Sequence, residues 1–193
     1  MRNALNIVAS KQVFMYSSVT IFCGSRLGNN PLYQQHAKAV GTLLVQHQIH
    51  LVYGGGNNGL MGIVANEVID NGGKVTGVMP QLLAEKEAAH DHLTAMHITE
   101  DMHARKKLLF SLADAAIILP GGVGTLDELF EMMTWNSLTI HDKKIILLNS
   151  AGFYNHLINH LEQMYNDGFL YTHWQQMLTV CDCPDNVIRA LLL

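Results

Sequence analysis

Three glycine-rich stretches and two charged side chains carry the chemistry that this sequence advertises. The stretches are Cys23-Gly24-Ser25-Arg26-Leu27-Gly28, Tyr53-Gly54-Gly55-Gly56-Asn57-Asn58-Gly59-Leu60-Met61-Gly62 and Pro120-Gly121-Gly122-Val123-Gly124-Thr125-Leu126-Asp127-Glu128. Glycines let a backbone approach a ligand closely. A helix that starts at such a turn aims unpaired N–H groups and the positive end of its dipole at an anion. Three such turns lining one crevice point to a phosphate-bearing ligand. None is followed by Gly-Lys-Ser/Thr, so no Walker A loop is present, and none gives G-x-G-x-x-G with an acidic residue about 20 positions on. Nucleoside-triphosphate hydrolysis and hydride transfer are therefore disfavoured.

The carboxylate nearest the third turn is Glu128. Thr125-Leu126-Asp127-Glu128 reads as a capping box, with Glu128 folding back on the Thr125 N–H. The functional alternative places Glu128 one turn inside the helix and facing the crevice, where it stabilises positive charge or positions water. Arg105 and Lys106, in Asp101-Met102-His103-Ala104-Arg105-Lys106-Lys107, read as a solvated helix face with Asp101 and Arg105 paired at i, i+4. An arginine is equally the natural fork for a phosphate or carboxylate. His90, His92, His97 and His103 lack helical H-x-x-x-H spacing and are expected on surface or loops, with no metal site.

These groups need a scaffold, and the hydrophobic pattern supplies one. Short apolar runs at Val19–Cys23, Ile49–Tyr53, Lys74–Met79, Ala95–Ile98, Ala115–Leu119 and Lys144–Asn149 read as strands. Runs such as AAIIL and IILL are apolar on both faces, as buried parallel strands are. Between them Pro31–Gln46, Leu60–Asn71, Glu100–Leu112, Thr125–Ser137 and Tyr154–Asn166 carry helical spacing, and a last strand near Leu178–Cys181 precedes a short helix after Pro184. Strand–helix alternation predicts an α/β, doubly wound Rossmann-like parallel sheet with helices on both faces. Ligands in such sheets bind at the carboxyl ends of the strands, where all three glycine-rich turns fall.

The 193 residues fit one domain, expected over 17–193, preceded by a flexible extension over 1–16. Nearly half the residues are apolar (49%) and only 15% charged, a low share that suits surface buried in an oligomer. The net charge of −4 and the absence of a basic tract speak against nucleic acid as a partner. Three cysteines without framework spacing fit reduced thiols in a cytosol, and neither a signal peptide nor a membrane span is read, so a cytoplasmic location is expected.

The quoted segments together resemble the Lonely-Guy family of cytokinin riboside 5′-monophosphate phosphoribohydrolases. The resemblance rests on CGS at 23–25, YGGGNNGLMG at 53–62, GGKVTGVMP at 72–80, DMHARK at 101–106, PGGVGTLDE at 120–128 and TWNSLTIHDKKIILLN at 134–149. The 23-residue spacing from Arg105 to Glu128 (128 − 105) is similar to the family's. The resemblance implies hydrolysis of the N-glycosidic bond of an adenosine-type nucleoside 5′-monophosphate, with or without an N6-prenyl group. It implies Arg105 and Glu128 as the catalytic pair, without metal or other cofactor. It places the phosphate on Gly122, Val123, Gly124 and Thr125, with Lys106 and Thr134 nearby, counts Gly121, Leu126, Asp127, Gly24, Ser25, Gly55 and Gly56 among the substrate-binding residues, and sets Glu87 on the base or ribose. It also implies a homodimer. Arg26 stands where the family more often has a small residue, which bears on base preference. Leu129, Met132 and Met133 read either as core or as the wall of a prenyl pocket. The rival class is a binding module, since the fold and loops are also similar to molybdenum cofactor carrier proteins, which hold a phosphorylated pterin without turning it over. Lysine decarboxylation, an old label for the family, needs a lysine Schiff base to pyridoxal phosphate that no residues here evidently provide.

Overall fold

A computed structural model describes residues 16–84 and 90–193. Glu87, and all but the last residue of the expected N-terminal extension, lie outside the described residues. Seven strands form one parallel sheet: β1 (Ser18–Phe22), β2 (His50–Tyr53), β3 (Val75–Pro80), β4 (Ala95–Thr99), β5 (Ala115–Ile118), β6 (Lys144–Leu148) and β7 (Thr179–Cys181), in the order β4-β3-β2-β1-β5-β6-β7. The connecting helices are α1 (Pro31–Gln46), α2 (Gly59–Asp70), the single turn α3 (Gln81–Ala84), α4 (Met102–Leu112), α5 (Val123–Ser137), α6 (Asn155–Asn166) and α7 (Pro184–Leu192).

The alternation of side chains along each strand divides the interior in two. Val19, Ile21, Leu51, Ile117 and Ile146 pack under α1, α2 and α7. Their neighbours Phe22, Val52, Ala116, Ile118 and Leu147 pack under α4, α5 and α6. Both faces of the central strands are thus covered, which is why those strands read as unbroken apolar runs. The chain winds outward from β1 to β4, then returns through α4 to place β5 on the other side of β1. The crevice between the β1 and β5 ends is the topological switch point, and two of the glycine-rich turns flank it.

Local chemistry sets the element ends. Asn30 caps α1 by accepting from the Leu32 N–H, and Pro31 fills the first helical position. Helix α4 starts at Met102 rather than Glu100 because the Asp101 carboxylate caps it, accepting from the Ala104 N–H at 2.8 Å. Helix α5 starts at Val123, two residues before the expected Thr125, because Gly122 serves as the N-cap.

Candidate active site

Hydrogen bonds stitch the three turns together. The Gly24 N–H donates to the Pro120 carbonyl, and the Leu60 N–H donates to the Gly24 carbonyl, each at 3.0 Å. The first turn is therefore clamped between the other two. Gly121 cannot be larger: a Cβ there would lie 2.1 Å from Thr125 Oγ1 and 2.9 Å from the Gly24 nitrogen. Gly122, Val123 and Gly124 are exposed at the start of α5, so the first amides of that helix are open to a ligand. Beside them lies a cleft of about 290 Å³ whose walls include Gly24, Arg26, Tyr33, Leu60, Gly122 and Phe153. None of the described residues that line it is acidic. Ser25 is exposed on this rim, whereas Gly55 and Gly56 are buried, and the Gly55 carbonyl accepts from the His90 N–H.

Arg105 and Glu128 meet on the α4/α5 side of this crevice. Arg105 Nη1 donates to Glu128 Oε1 at 3.1 Å, and Arg105 Nε donates to the Val78 carbonyl within β3 at 3.2 Å. The guanidinium runs so close under the second turn that a Cβ at Gly54 would lie 2.5 Å from Arg105 Nη2. Both side chains are about nine-tenths buried. Burial pushes the Glu128 carboxyl up to about 7, while the charge and hydrogen bond of Arg105 pull the other way. Cys23, at the end of β1, feels the Glu128 charge as well as its own burial, and both push its thiol far above the range in which it ionises. A thiol held neutral in this way is inert.

Two expectations are corrected here. Glu128 does not close a capping box: Gly122 caps α5, Thr125 is already the third helical residue, and Glu128 lies inside the helix with its carboxylate on Arg105. Nor do Asp101 and Arg105 pair on a solvated face: Asp101 caps α4 while Arg105 points inward to β3 and α5.

Lys106, one residue on, reaches along α5 to other carboxylates, its side chain 12% exposed. Its Nζ lies 3.2 Å from Asp127 Oδ2 and 2.8 Å from Glu131 Oε2. The hydrogen bond to Glu131 is the main reason its ammonium titrates above the usual lysine range. Asp127 is exposed and points to Lys106, and Leu126 is half-buried beside the core. Thr134 lies 11 residues beyond Val123, about 16 Å along the helix at 1.5 Å per residue, and its hydroxyl donates to the Phe130 carbonyl. The structure thus gathers Gly24, Ser25, Gly121 to Thr125, Arg105 and Glu128, holds Lys106 against two carboxylates, and does not bring Thr134 of the same chain to the α5 start. Leu129, Met132 and Met133 are buried core residues. Of the four histidines, His92, His97 and His103 are exposed, but His90 is buried with Nε2 2.9 Å from Asn66 Oδ1. Among the described residues no three His, Cys, Asp or Glu gather as a metal site, and no helix is long and apolar enough to cross a membrane.

One residue at this site carried no signal in the sequence. Tyr154, after β6, is buried and donates its hydroxyl to the Leu119 carbonyl at 2.7 Å, directly behind the third turn. Nothing in its spacing marks it, because the contact spans 35 residues and depends on β5 and β6 being neighbours.

Residues 61–191 match the family described as "Possible lysine decarboxylase". The chain is 42% identical over 175 residues to the cytokinin riboside 5′-monophosphate phosphoribohydrolase of Rhodococcoides fascians, covering 90% of this chain and 88% of that one. It is 39% identical over 176 residues to an Arabidopsis thaliana protein of the same name, LOG4, covering 91% and 82%. Among solved structures, the molybdenum cofactor binding protein from Rippkaea orientalis superposes with a TM-score of 0.67 over 90% of this chain and 94% of that chain, at 20% identity. That likeness establishes the shared fold, whereas the sequence identities establish kinship. The chain belongs to the cytokinin riboside 5′-monophosphate phosphoribohydrolase family.

Proposed function

We propose that this protein hydrolyses the N-glycosidic bond of adenosine-type nucleoside 5′-monophosphates, releasing free base and ribose 5-phosphate, with Arg105 and Glu128 as the catalytic pair. The observation that carries this reading is the buried Arg105–Glu128 pair beside the open N-terminus of α5. The amides from Gly122 to Thr125 hold the 5′-phosphate, with Gly24 and Ser25 on the facing rim. Breaking the bond to the base leaves an oxocarbenium-like ribosyl cation. Glu128, ionised beside Arg105, stabilises that cation and takes a proton from the water that adds to C1′. Across the whole reaction that water supplies the hydroxyl on C1′ and one hydrogen on the departing base. Phosphate binding, remote from the bond that breaks, fixes the ribose for attack.

A decarboxylase of lysine calls for a lysine side chain free to form a Schiff base. Lys106, in the same helical turn as Arg105, is engaged by Asp127 and Glu131 instead. A homodimer is supported by the low charged fraction and by exposed Leu82, Ile98 and Met102 on α3, β4 and α4. A cytoplasmic location is supported by three free cysteines, two of them buried.

The test is release of free base from AMP, N6-isopentenyl-AMP, GMP and CMP. Release from the adenine nucleotides, and none from adenosine lacking the 5′-phosphate, is expected. Measurable nucleotide binding with no release from any of them contradicts hydrolysis and leaves a binding module.

A further inference from the structure

The third turn carries the phosphate in the reading above, yet the turn does not hold its own shape. The β5–β6 ladder ends at the Ile118–Leu147 pair, so the Leu119 carbonyl has no strand partner. Residue 120 is proline and brings no N–H that a tight turn could use. The Pro120 carbonyl is already taken by the Gly24 N–H. A buried carbonyl in this position needs a donor from elsewhere, and the Tyr154 hydroxyl supplies it at 2.7 Å.

Tyr154 is itself held on every side. Its N–H donates to Asn149 Oδ1 at 2.7 Å, and the Asn149 N–H donates to the Cys181 carbonyl at the end of β7 at 2.8 Å. Its ring packs edge-on against Phe153, with centroids 4.7 Å apart, and Phe153 packs edge-on against Tyr33 at 5.5 Å. Phe153 and Tyr33 in turn wall the cleft beside Gly121 and Gly122. From the front, Thr125 Oγ1 leaves no room for a side chain at 121. The turn is therefore fixed between Thr125 on one side and the phenol on the other.

We propose that Tyr154 is a positioning residue for the substrate's phosphate: its hydroxyl sets the Leu119–Gly122 turn so that the first amides of α5 converge on one anion. It touches no reacting atom and acts through the backbone that it holds. The proposal rests on the phosphate reading of the α5 start, and it extends the site to a residue on the far side of β5.

Tyr154→Phe keeps the ring and removes the donor. KM for AMP and the dissociation constant of ribose 5-phosphate, measured by calorimetry, are expected to rise together by about tenfold, the usual effect of orphaning one buried acceptor. Inhibition by adenine, which has no phosphate, is expected to stay within about twofold, and kcat within about threefold, as for loss of uniform binding. Unchanged ribose 5-phosphate affinity overturns the proposal. Equal losses for adenine and ribose 5-phosphate overturn it too, since they mark general damage. If Tyr154→Phe does not fold, Asn149→Ala, which frees the Tyr154 backbone, is expected to give the same phosphate-selective loss at smaller size, and a non-selective result there is equally decisive. Calorimetry with ribose 5-phosphate and inorganic phosphate needs no turnover. A wild-type protein that binds both but cleaves nothing thus refutes the hydrolase reading without touching this one.

Discussion

Two neighbouring cations of α4, Arg105 and Lys106, tie it to carboxylates of α5, the first to an inner one and the second to an outer pair. Arg105–Glu128 is about nine-tenths buried at both ends, is bonded further to the Val78 carbonyl, and keeps its carboxyl near 7. Lys106 is almost as buried as Arg105, at 12% exposure, but its carboxylates are not buried alike: Asp127 is 60% exposed and Glu131 22%, against 10% for Glu128. Desolvation makes a buried pair a poor device for stability, and an exposed one contributes little either way. The inner pair makes sense as chemistry: burial keeps water from screening the carboxylate, and the arginine keeps it ionisable near neutral pH. The outer pair makes sense as a strap between two helices. The lesson is that charge type, spacing and even the burial of the cation do not separate the two roles, whereas the burial of the carboxylate does.

The comparison can be broken in several places. Glu128→Gln is expected to lower kcat by about 10²–10⁴-fold while AMP binding remains measurable by calorimetry. Arg105→Met is expected to lower kcat/KM by about 10²-fold or more. It also removes the cation that holds the Glu128 carboxyl down, so the acid limb of the pH–rate profile moves to higher pH.

The wild-type profile sharpens the contrast further. If catalysis needs ionised Glu128, log kcat/KM rises with pH and levels near 7. Stability runs the opposite way. The folded carboxyl titrates near 7 and its ordinary value is 4.5, so between those values the unfolded chain releases a proton that the folded chain keeps, and stability falls as pH rises. Thermal unfolding from pH 5 to 8 should show the wild type losing ground relative to Glu128→Gln, and parallel curves would count against a raised carboxyl.

The smallest effect belongs to the outer pair. Glu131→Gln, which leaves Asp127 on Lys106, is expected to change kcat/KM by less than about threefold, measured by steady-state kinetics. A loss there as large as at Glu128 would erase the distinction.

The scaffold was legible because its signals are local. Helical spacing from Pro31 marked α1 and both-sided apolar runs marked the central strands, each within a residue of its place. The start of α5 was misread because Thr125-x-x-Glu128 has the form of a capping box, while the true cap, Gly122, offers no side chain to recognise. The burial of Arg105 was not legible either. It depends on Gly54 leaving room beneath the second turn and on a carbonyl of β3, 51 and 27 positions away (105 − 54 and 105 − 78). Tyr154 was invisible for the same reason, since a phenol that completes a turn 35 residues distant has no local pattern.

The most direct measurement is adenine release from AMP by wild type and Glu128→Gln, at pH 8 and with matched folding by circular dichroism. The account predicts steady release by wild type, dependence on the 5′-phosphate, and loss of about 10²-fold or more in the variant with AMP still bound. Equal release by both proteins would contradict the role given to the buried pair.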